Sequence, residues 1–162
     1  MAAPTLLRSG VRDVVCGAGV TIVEPVNIYE CALGEGCFVG PFVEIQRGVR
    51  VGARTRVQSH AFVCELVSIG EDCFVGHGVV FVNDPFRVGA PARGRRELWE
   101  ATKVGNRVSI GSNVTLLPVS ICDDVVIGAG AVVTRDITEP GIYVGNPARL
   151  LRASRPPAEP EQ

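Results

Sequence analysis

The chain reads as an all-β protein, a parallel β-helix of six-residue repeats with one protruding arm. Three observations predict this. A hydrophobic residue returns at every sixth position through Leu33, Val39, Ile45, Val51, Val57, Val63, Ile69, Val75 and Phe81. Glycine directly follows five of these nine, as Gly34, Gly40, Gly52, Gly70 and Gly76. A smaller residue stands four places after the first eight: Cys37, Val43, Val49, Thr55, Ala61, Val67, Cys73 and Val79. Large inside, glycine at a corner, then small inside describes one short strand and one bend, repeated. Self-similarity at a fixed period marks a repeat architecture. Three hexads close one turn of a triangular prism, so residues 18 apart stack, about 4.8 Å from one another at the strand spacing. Such a prism has little interior for chemistry. Function must lie on its faces, its loops or the seams between copies.

Residues 1–12 read as an irregular lead-in. An early register runs through Cys16, Ile22 and Ile28, with Val20, Val26 and Ala32 at the small position, and shifts by one residue before Leu33. The regular series ends near Phe81. A break over 84–103 follows Asn83, and the stretch NDPFRVGAPARGRRELWEATK at 83–103 is rich in Gly, Pro and Arg. Irregular segments of this length in compact domains are usually functional or disordered; the mixture of Pro, Arg and Trp99 predicts an ordered arm. The pattern resumes at Val104 and Ile110, slips near Leu116, and continues at Ile121, Ile127 and Val133. The single domain closes with GIYVGNPARLLR at about residue 152. The tail, 153–162, is too polar and Pro-rich to pack and reads as disordered.

Composition excludes several function classes. With 162 residues the chain can bury a sizeable core. A formal net charge of −1 argues against nucleic-acid or membrane-surface binding. The N-terminus has no apolar signal-peptide core, and no run of about 18 apolar residues exists to span a membrane. None of the six cysteines forms a C-x-x-C pair, so they read as reduced structural residues of a cytoplasmic protein. A zinc site or a catalytic thiol is the alternative.

Stacking turns sequence spacing into geometry. Glu65 and Asn83 are 18 apart and share a position on adjacent coils, with Arg47 extending the row; Gln46 stacks with Cys64, and Ser59 with His77. Asn83 and Asp84 stand where the coil breaks into the arm. They form either one wall of a pocket or an Asx turn before Pro85. His60 and His77 are the only histidines. Each is a candidate general base or a plain surface or seam residue. Two histidines do not make a three-histidine zinc site within one chain, so no metal is expected. Arg87, Arg93, Arg95 and Arg96 offer forks for phosphate oxygens; the competing reading pairs them with Glu97 and Glu100.

The stretch VQSHAFVCELVSIGEDCFVGHGVVFVNDPF, followed by VSIGSNVTLLP, VIGAGAVVTRDI and YVGNPARLLR, resembles the left-handed β-helix acyltransferases. Among these it is most similar to the sugar-nucleotide N-acetyltransferases, which act on nucleotide-linked 3-amino-3,6-dideoxyhexoses or 3-amino-glucuronates. The resemblance covers residues from about 14 to 152. It implies a left-handed coil, although parallel crossovers are otherwise right-handed. It also implies a homotrimer, acetyl-CoA as acyl donor, and the amine of a nucleotide-linked amino sugar, at C3 by resemblance, as acceptor. Asn83 and Asp84 match an Asn-Asp pair at the acceptor site, and Glu65 an acidic position one turn below. His60 joins them as a candidate catalytic residue, with Gln46, His77 and Arg87 as substrate-binding candidates. Gly111 and Ala129 occupy the coil edge along which pantetheine runs. Asn146 and Arg149, together with Arg135, are assigned to the cofactor's adenosine end.

Two other readings stay open at this point. O-acetylation of a sugar or antibiotic hydroxyl would demand a strong base, so a histidine essential for turnover would favour it. A non-catalytic prism, as scaffold or nucleotide-sugar-binding protein, would show no acetyl-CoA binding.

Overall fold

The structure is a computed structural model that describes residues 9–153. Its strands form three long faces. The first face stacks seven strands, from Gly10–Arg12 through Asn27–Tyr29, Glu44–Ile45, Phe62–Val63, Val80–Phe81 and Thr115–Leu116 to Val132–Val133. The second face stacks six, from Val15–Cys16 to Ser120–Ile121, and the third eight, from Thr21–Ile22 to Arg149–Ala153. Up to Val132–Val133, successive strands of the chain visit the three faces in rotation. Below, the first edge is the corner after the first face, and the second and third edges follow likewise.

The hexad sets the register. Each two-residue strand turns one side chain out and one in, as strand geometry requires. The inward set is the periodic series, with Val39, Ile45, Val57, Val63, Val75 and Phe81 all at 0% exposure. The small series lines the same interior at the corners, including the buried Thr55, whose hydroxyl donates to the Gly70 carbonyl. In the middle of the chain partners lie 18 apart, as in Phe62 with Val80. Near the ends they lie 17 apart, as in Gly10 with Asn27 and Thr115 with Val132. These one-residue deficits are the slips before Leu33 and after Leu116. Val80 pairs with Thr115, 35 residues on, so the arm adds 35 − 18 = 17 residues to one coil.

Glycine at the second edge has a steric cause. A Cβ at Gly52 would stand 2.5 Å from the carbonyl carbon of Gly70, and one at Gly34 would stand 2.5 Å from the Ala53 nitrogen. The coils approach too closely for any side chain there. Gly52→Ala is therefore expected to force the coils apart and to destabilise by about 1–3 kcal/mol, read as a lower denaturant midpoint.

Charges ride on the outside of this edge. Arg54 pairs with Glu71 and Asp72, and Arg107 with Asp123 and Asp124. Hydrogen bonds from the guanidiniums hold the Asp72 and Asp124 carboxyls below their ordinary range. A carboxyl whose pKa is lowered by folding adds stability above the unfolded pKa, about 3.9 for aspartate. That stability is lost as pH falls through the lowered folded value. The pairs are solvent-exposed, so salt screens them.

Three sequence expectations need correction at the margins. Residues 10–12 are a paired strand, not part of an irregular lead-in, because Gly10, Val11 and Arg12 add to the edge of Asn27–Tyr29. The coil resumes at Thr102, not after 103, with the Thr102 side chain buried. The C-terminus turns back as an antiparallel strand, Arg149–Ala153, on Gly141–Val144, so Ala153 belongs to the coil's final sheet. The rest of the tail, 154–162, and residues 1–8 of the lead-in lie outside the described residues. Among the described residues no helix is long and apolar enough to cross a membrane.

Candidate active site

The first edge lacks the glycines that recur along the other two, carrying Gln46, Cys64 and Val82 in their place, and polar side chains follow at the next positions. Its rows are Gln46 and Arg47, then Cys64 and Glu65, then Val82, Asn83 and Asp84, where the arm departs. The Gln46 amide bridges two levels: Nε2 donates to Glu44 Oε1 at 2.8 Å and Oε1 accepts the Glu65 N–H at 3.3 Å. Asn83 Nδ2 donates to the Glu65 carbonyl at 3.2 Å. The Asn83 carbonyl accepts the Glu100 N–H at 2.8 Å, which closes the base of the arm. Asn83 is thus the pin between coil and arm, held on both sides by residues far away in sequence.

Asp84 is the clasp. Its Oδ1 accepts the Phe86 N–H at 3.0 Å, the two-residue Asx turn, and its Oδ2 accepts the Ala92 N–H at 2.7 Å. Ala92 lies in the arm and is only 1% exposed. Both carboxylate oxygens therefore bond backbone N–H groups and shape the loop from 84 to 92. The arm then returns through a short 3₁₀ turn, Arg96–Leu98.

Two of the four arm arginines are engaged by carboxylates. Arg96 pairs with Glu65 across 31 residues, and its guanidinium lies 5.8 Å from the Trp99 ring centroid. Arg87 forks onto both oxygens of Glu100, and that hydrogen bonding holds the Glu100 carboxyl below the usual carboxylate range. Arg95 donates to the Ala92 carbonyl. Arg47 pairs with Glu30 and not with the Glu65 above it. Arg87 and Arg96 keep exposed side chains while held by these carboxylates.

The cysteine nearest the arm root is poorly placed as a nucleophile. Cys64 sits in the middle of the first edge, yet it is buried, and burial pushes its thiol up to about 12. Cys31 is pushed up to about 11 for the same reason. A thiol attacks as thiolate, a form that burial disfavours in both. Among the described residues no cluster of three or more His, Cys, Asp or Glu is arranged to hold a metal.

The histidines stand on the third edge. His60 stacks on Phe42 of the coil below, ring centroids 4.8 Å apart and planes 15° apart. His77 is one coil higher, exposed, with Nδ1 2.8 Å from Ser59 Oγ. The register continues this column upward. Corner hydrogen bonds run from Gly78 N to Ser59 O, Asn113 N to His77 O and Gly130 N to Ser112 O. Ala129 therefore stands above Ser112, which stands above His77. Ile127 pairs with Tyr143, so Asn146 comes at the top of the same edge. Gly111 stays side-chain-free because a Cβ would meet the Ala129 nitrogen at 2.5 Å. Arg135 and Arg149 line one cavity of about 190 Å³ at the C-terminal end, with Thr134, Asp136 and Tyr143.

The predicted site residues thus separate into two groups. Gln46, Glu65, Asn83, Asp84 and Arg87 gather at the first edge and the arm. His60, His77, Gly111, Ala129 and Asn146 line the third edge, whereas Arg135, which follows Val132–Val133, stands at the C-terminal end of the first edge and shares its cavity with Arg149. The first face lies between them. Sequence reasoning missed Glu44 and Ala92, which hold site residues in place. Glu44 stacks on Phe62 in a regular register and could have been found by counting; Ala92 carries no periodic signal. Glu100 pairs with Arg87, as the competing reading of the arm arginines had it.

Comparison with known proteins agrees with this architecture. A model described as the hexapeptide repeat of succinyl-transferase matches residues 66–90 and 101–135. The bifunctional protein GlmU of Clostridium botulinum is 29% identical over 160 residues, covering 88% of this chain and 33% of that protein. The chain spans about a third of the length of that curated relative. A mutant perosamine N-acetyltransferase from Caulobacter crescentus, solved with CoA and GDP-perosamine, superposes with a TM-score of 0.61 at 24% identity, covering 88% of this chain and 57% of the other. A maltose O-acetyltransferase from Clostridium difficile superposes with a TM-score of 0.54 at 23% identity, covering 90% and 71%. The structural likenesses establish the fold.

Proposed function

Because the chain belongs to the hexapeptide-repeat left-handed β-helix acyltransferase family, we propose that it moves an acetyl group from acetyl-CoA to the amine of a nucleotide-linked amino-deoxy sugar, with C3 as the amine position. The observation that carries this reading is the arm root. There Asn83 is pinned by the Glu65 carbonyl and the Glu100 N–H, above Gln46 and Glu65 and beside Arg87. Amide and carboxylate groups suit an amino sugar's N–H and hydroxyl groups, and arginines suit its phosphates. The perosamine enzyme's complex, with CoA and an amino-sugar nucleotide together, supports the same pairing of substrates.

In this reading the donor lies along the third edge. Pantetheine runs past Ala129 and Gly111, and the adenosine end meets Asn146, Arg135 and Arg149. The amine attacks the thioester carbonyl carbon through a tetrahedral adduct. Positioning of two bound substrates supplies most of the rate, and backbone N–H groups stabilise the oxyanion. Asp84, with both oxygens on arm N–H groups, fixes Asn83 and the acceptor pocket.

Donor and acceptor groups occupy different corners of one prism, so we place the active site between copies, with the third edge of one facing the arm root of the next. The apolar outward residues beside the third edge, Phe74 at 40% and Val80 at 36% exposure, fit such a seam. A homotrimer is expected, and sedimentation should report three times the 17.2 kDa chain mass. A fully active monomer would contradict the seam.

The test is thiol release from acetyl-CoA against dTDP-, UDP- and GDP-linked amino sugars and their hydroxyl counterparts. The expected result is turnover with an amino sugar. Turnover confined to hydroxyl acceptors would make the protein an O-acetyltransferase. No acetyl-CoA binding at all would leave a scaffold.

A further inference from the structure

A cavity of about 250 Å³ opens at the lower end of the third edge, lined among others by Pro25, Asn27, Phe42 and Glu44. The corner hydrogen bonds of that edge lead down to it, from Gly78 N to Ser59 O, His60 N to Pro41 O and Phe42 N to Pro25 O. Phe42 therefore stands two coils below His77, about 10 Å at the strand spacing. Gly111, Ala129 and Asn146 all lie above His77 on the same edge.

The cavity is built for a flat, polar-edged ring. His60 covers one face of the Phe42 ring, at 4.8 Å between centroids, and the side chain of Phe42 is still 57% exposed. An aromatic wall is thus held in place and open to the cavity. Asn27 and Glu44 are paired across adjacent strands of the first face. Their polar groups stand one strand spacing apart, about 4.8 Å, which suits the pairing edge of a nucleobase.

Existing hydrogen bonds fix what these two groups offer. Arg12 Nη2 donates to Asn27 Oδ1 at 3.3 Å. A guanidinium accepts nothing, so the amide is oriented and Nδ2 is turned elsewhere to donate. Glu44 Oε1 accepts from Gln46 Nε2 at 2.8 Å. A carboxylate has several lone-pair sites over its two oxygens, so both can accept again. The slot reads donor, acceptor, acceptor. Guanine carries the complement, with O6 accepting and N1–H and N2–H donating. Uracil and thymine would bring a carbonyl oxygen against the carboxylate. Adenine and cytosine would bring an amino group to the Asn27 N–H and a bare ring nitrogen to Glu44. Unpaired polar groups at a closed contact are costly, so the wrong bases are rejected.

Resting on the acetyl-transfer reading above, we infer that this cavity seats the nucleobase of the acceptor and that Glu44 makes it selective for guanine. Donor and acceptor then enter the edge from opposite ends. The phosphates and sugar span the two coils between Phe42 and His77, and the arm root of the next copy meets the amine.

Two measurements test the slot on the intact protein. By calorimetry, the wild type should bind GDP on the order of 10- to 100-fold more tightly than UDP or dTDP, the discrimination of a bidentate base contact. Glu44→Gln keeps an oxygen for Gln46 but puts an NH₂ group in place of one acceptor. It should weaken GDP by about 10-fold or more and erase the preference. Phe42→Ala should weaken all three nucleotides about 10-fold without changing their order, because stacking is tolerant of the base. In steady state both variants should raise the KM of a GDP-linked amino sugar and spare the acetyl-CoA KM. Circular dichroism checks that each is folded. A wild type that does not prefer GDP, or a GDP preference that Glu44→Gln leaves intact, would overturn the inference. Turnover of dTDP- or UDP-linked amino sugars in preference to the GDP-linked one would overturn it as well, with the proposed function left standing. If the wild type acetylates no amino sugar, the proposed function fails, and nucleotide binding still decides whether the slot reads guanine.

Discussion

Asp84→Asn should cut acetyl transfer about 100-fold while leaving the coil folded, because a shift of about 1 Å at a positioned site can cost that much. The substitution is close in shape but not in hydrogen bonding. Asp84 accepts from Phe86 N and from Ala92 N, one on each oxygen. Asparagine has one acceptor and one NH₂ group. Whichever way the amide turns, its NH₂ faces a backbone N–H, and one end of the clasp opens. If Ala92 is released, its burial is lost and the arm swings on Asn83. The strands below remain paired, so the unfolding transition by circular dichroism should stay near wild type. Turnover within about threefold of wild type would show that the clasp has no bearing on the acceptor pocket, against the loss expected from misplacement.

Phe81→Ala is expected to destabilise the protein by about 3–5 kcal/mol, the range for a large aromatic removed from a core. Phe81 heads the largest fully buried side chains and has 0% exposure. Its strand pairs with Phe62–Val63 below and Thr115–Leu116 above. Stacked strands of two residues have little freedom to collapse into the vacated volume. Asn83 follows two residues later, so the cavity also undermines the arm root. Chemical denaturation measures the first effect. Phe81→Leu should recover much of the stability, since it leaves a smaller void. A loss below about 1 kcal/mol would mean that this coil relaxes freely, contrary to the cost of close-packed interiors.

The coil was legible because arithmetic alone produces it. A period of six fixes which side chain turns inward, and three hexads fix which residues stack. That is why Glu65 with Asn83 and Ser59 with His77 emerge from spacing before any coordinate. The same arithmetic separates the two groups of the site. His77 and Asn83 are six apart, so they stand at successive corners, at either end of Val80–Phe81.

The arm was legible in its bounds and, as one of two open readings, in the pairing of an arginine with Glu100, but not in which arginine meets which carboxylate. Pairing of Arg96 with Glu65 and of Arg87 with Glu100 depends on how seventeen added residues fold back, and no repeat governs them. Asp84 read equally as turn or pocket residue. Its bond to Ala92 joins it to the arm's one deeply buried residue, a contact eight positions away. The reversal at Arg149–Ala153 was hidden too, because residues 141–144 still follow the coil while the chain turns only at Gly145–Ala148.

The seam between copies is tested most directly by mixing two inactive proteins. Ala129→Trp should block the donor edge of its own copy, and Asn83→Ala should spoil the arm root of its own copy. In a mixed ring, a seam formed by the third edge of an Asn83→Ala copy and the arm root of an Ala129→Trp copy is wild type throughout. With random mixing of equal amounts, head-to-tail seams of that kind make up about a quarter of the total. The account predicts recovery of about a quarter of the wild-type rate after co-refolding or co-expression, from parents that each show almost none. Mixtures as inactive as their parents, with mixed trimers confirmed by native mass spectrometry, would place the donor edge and the arm root in separate sites and contradict it.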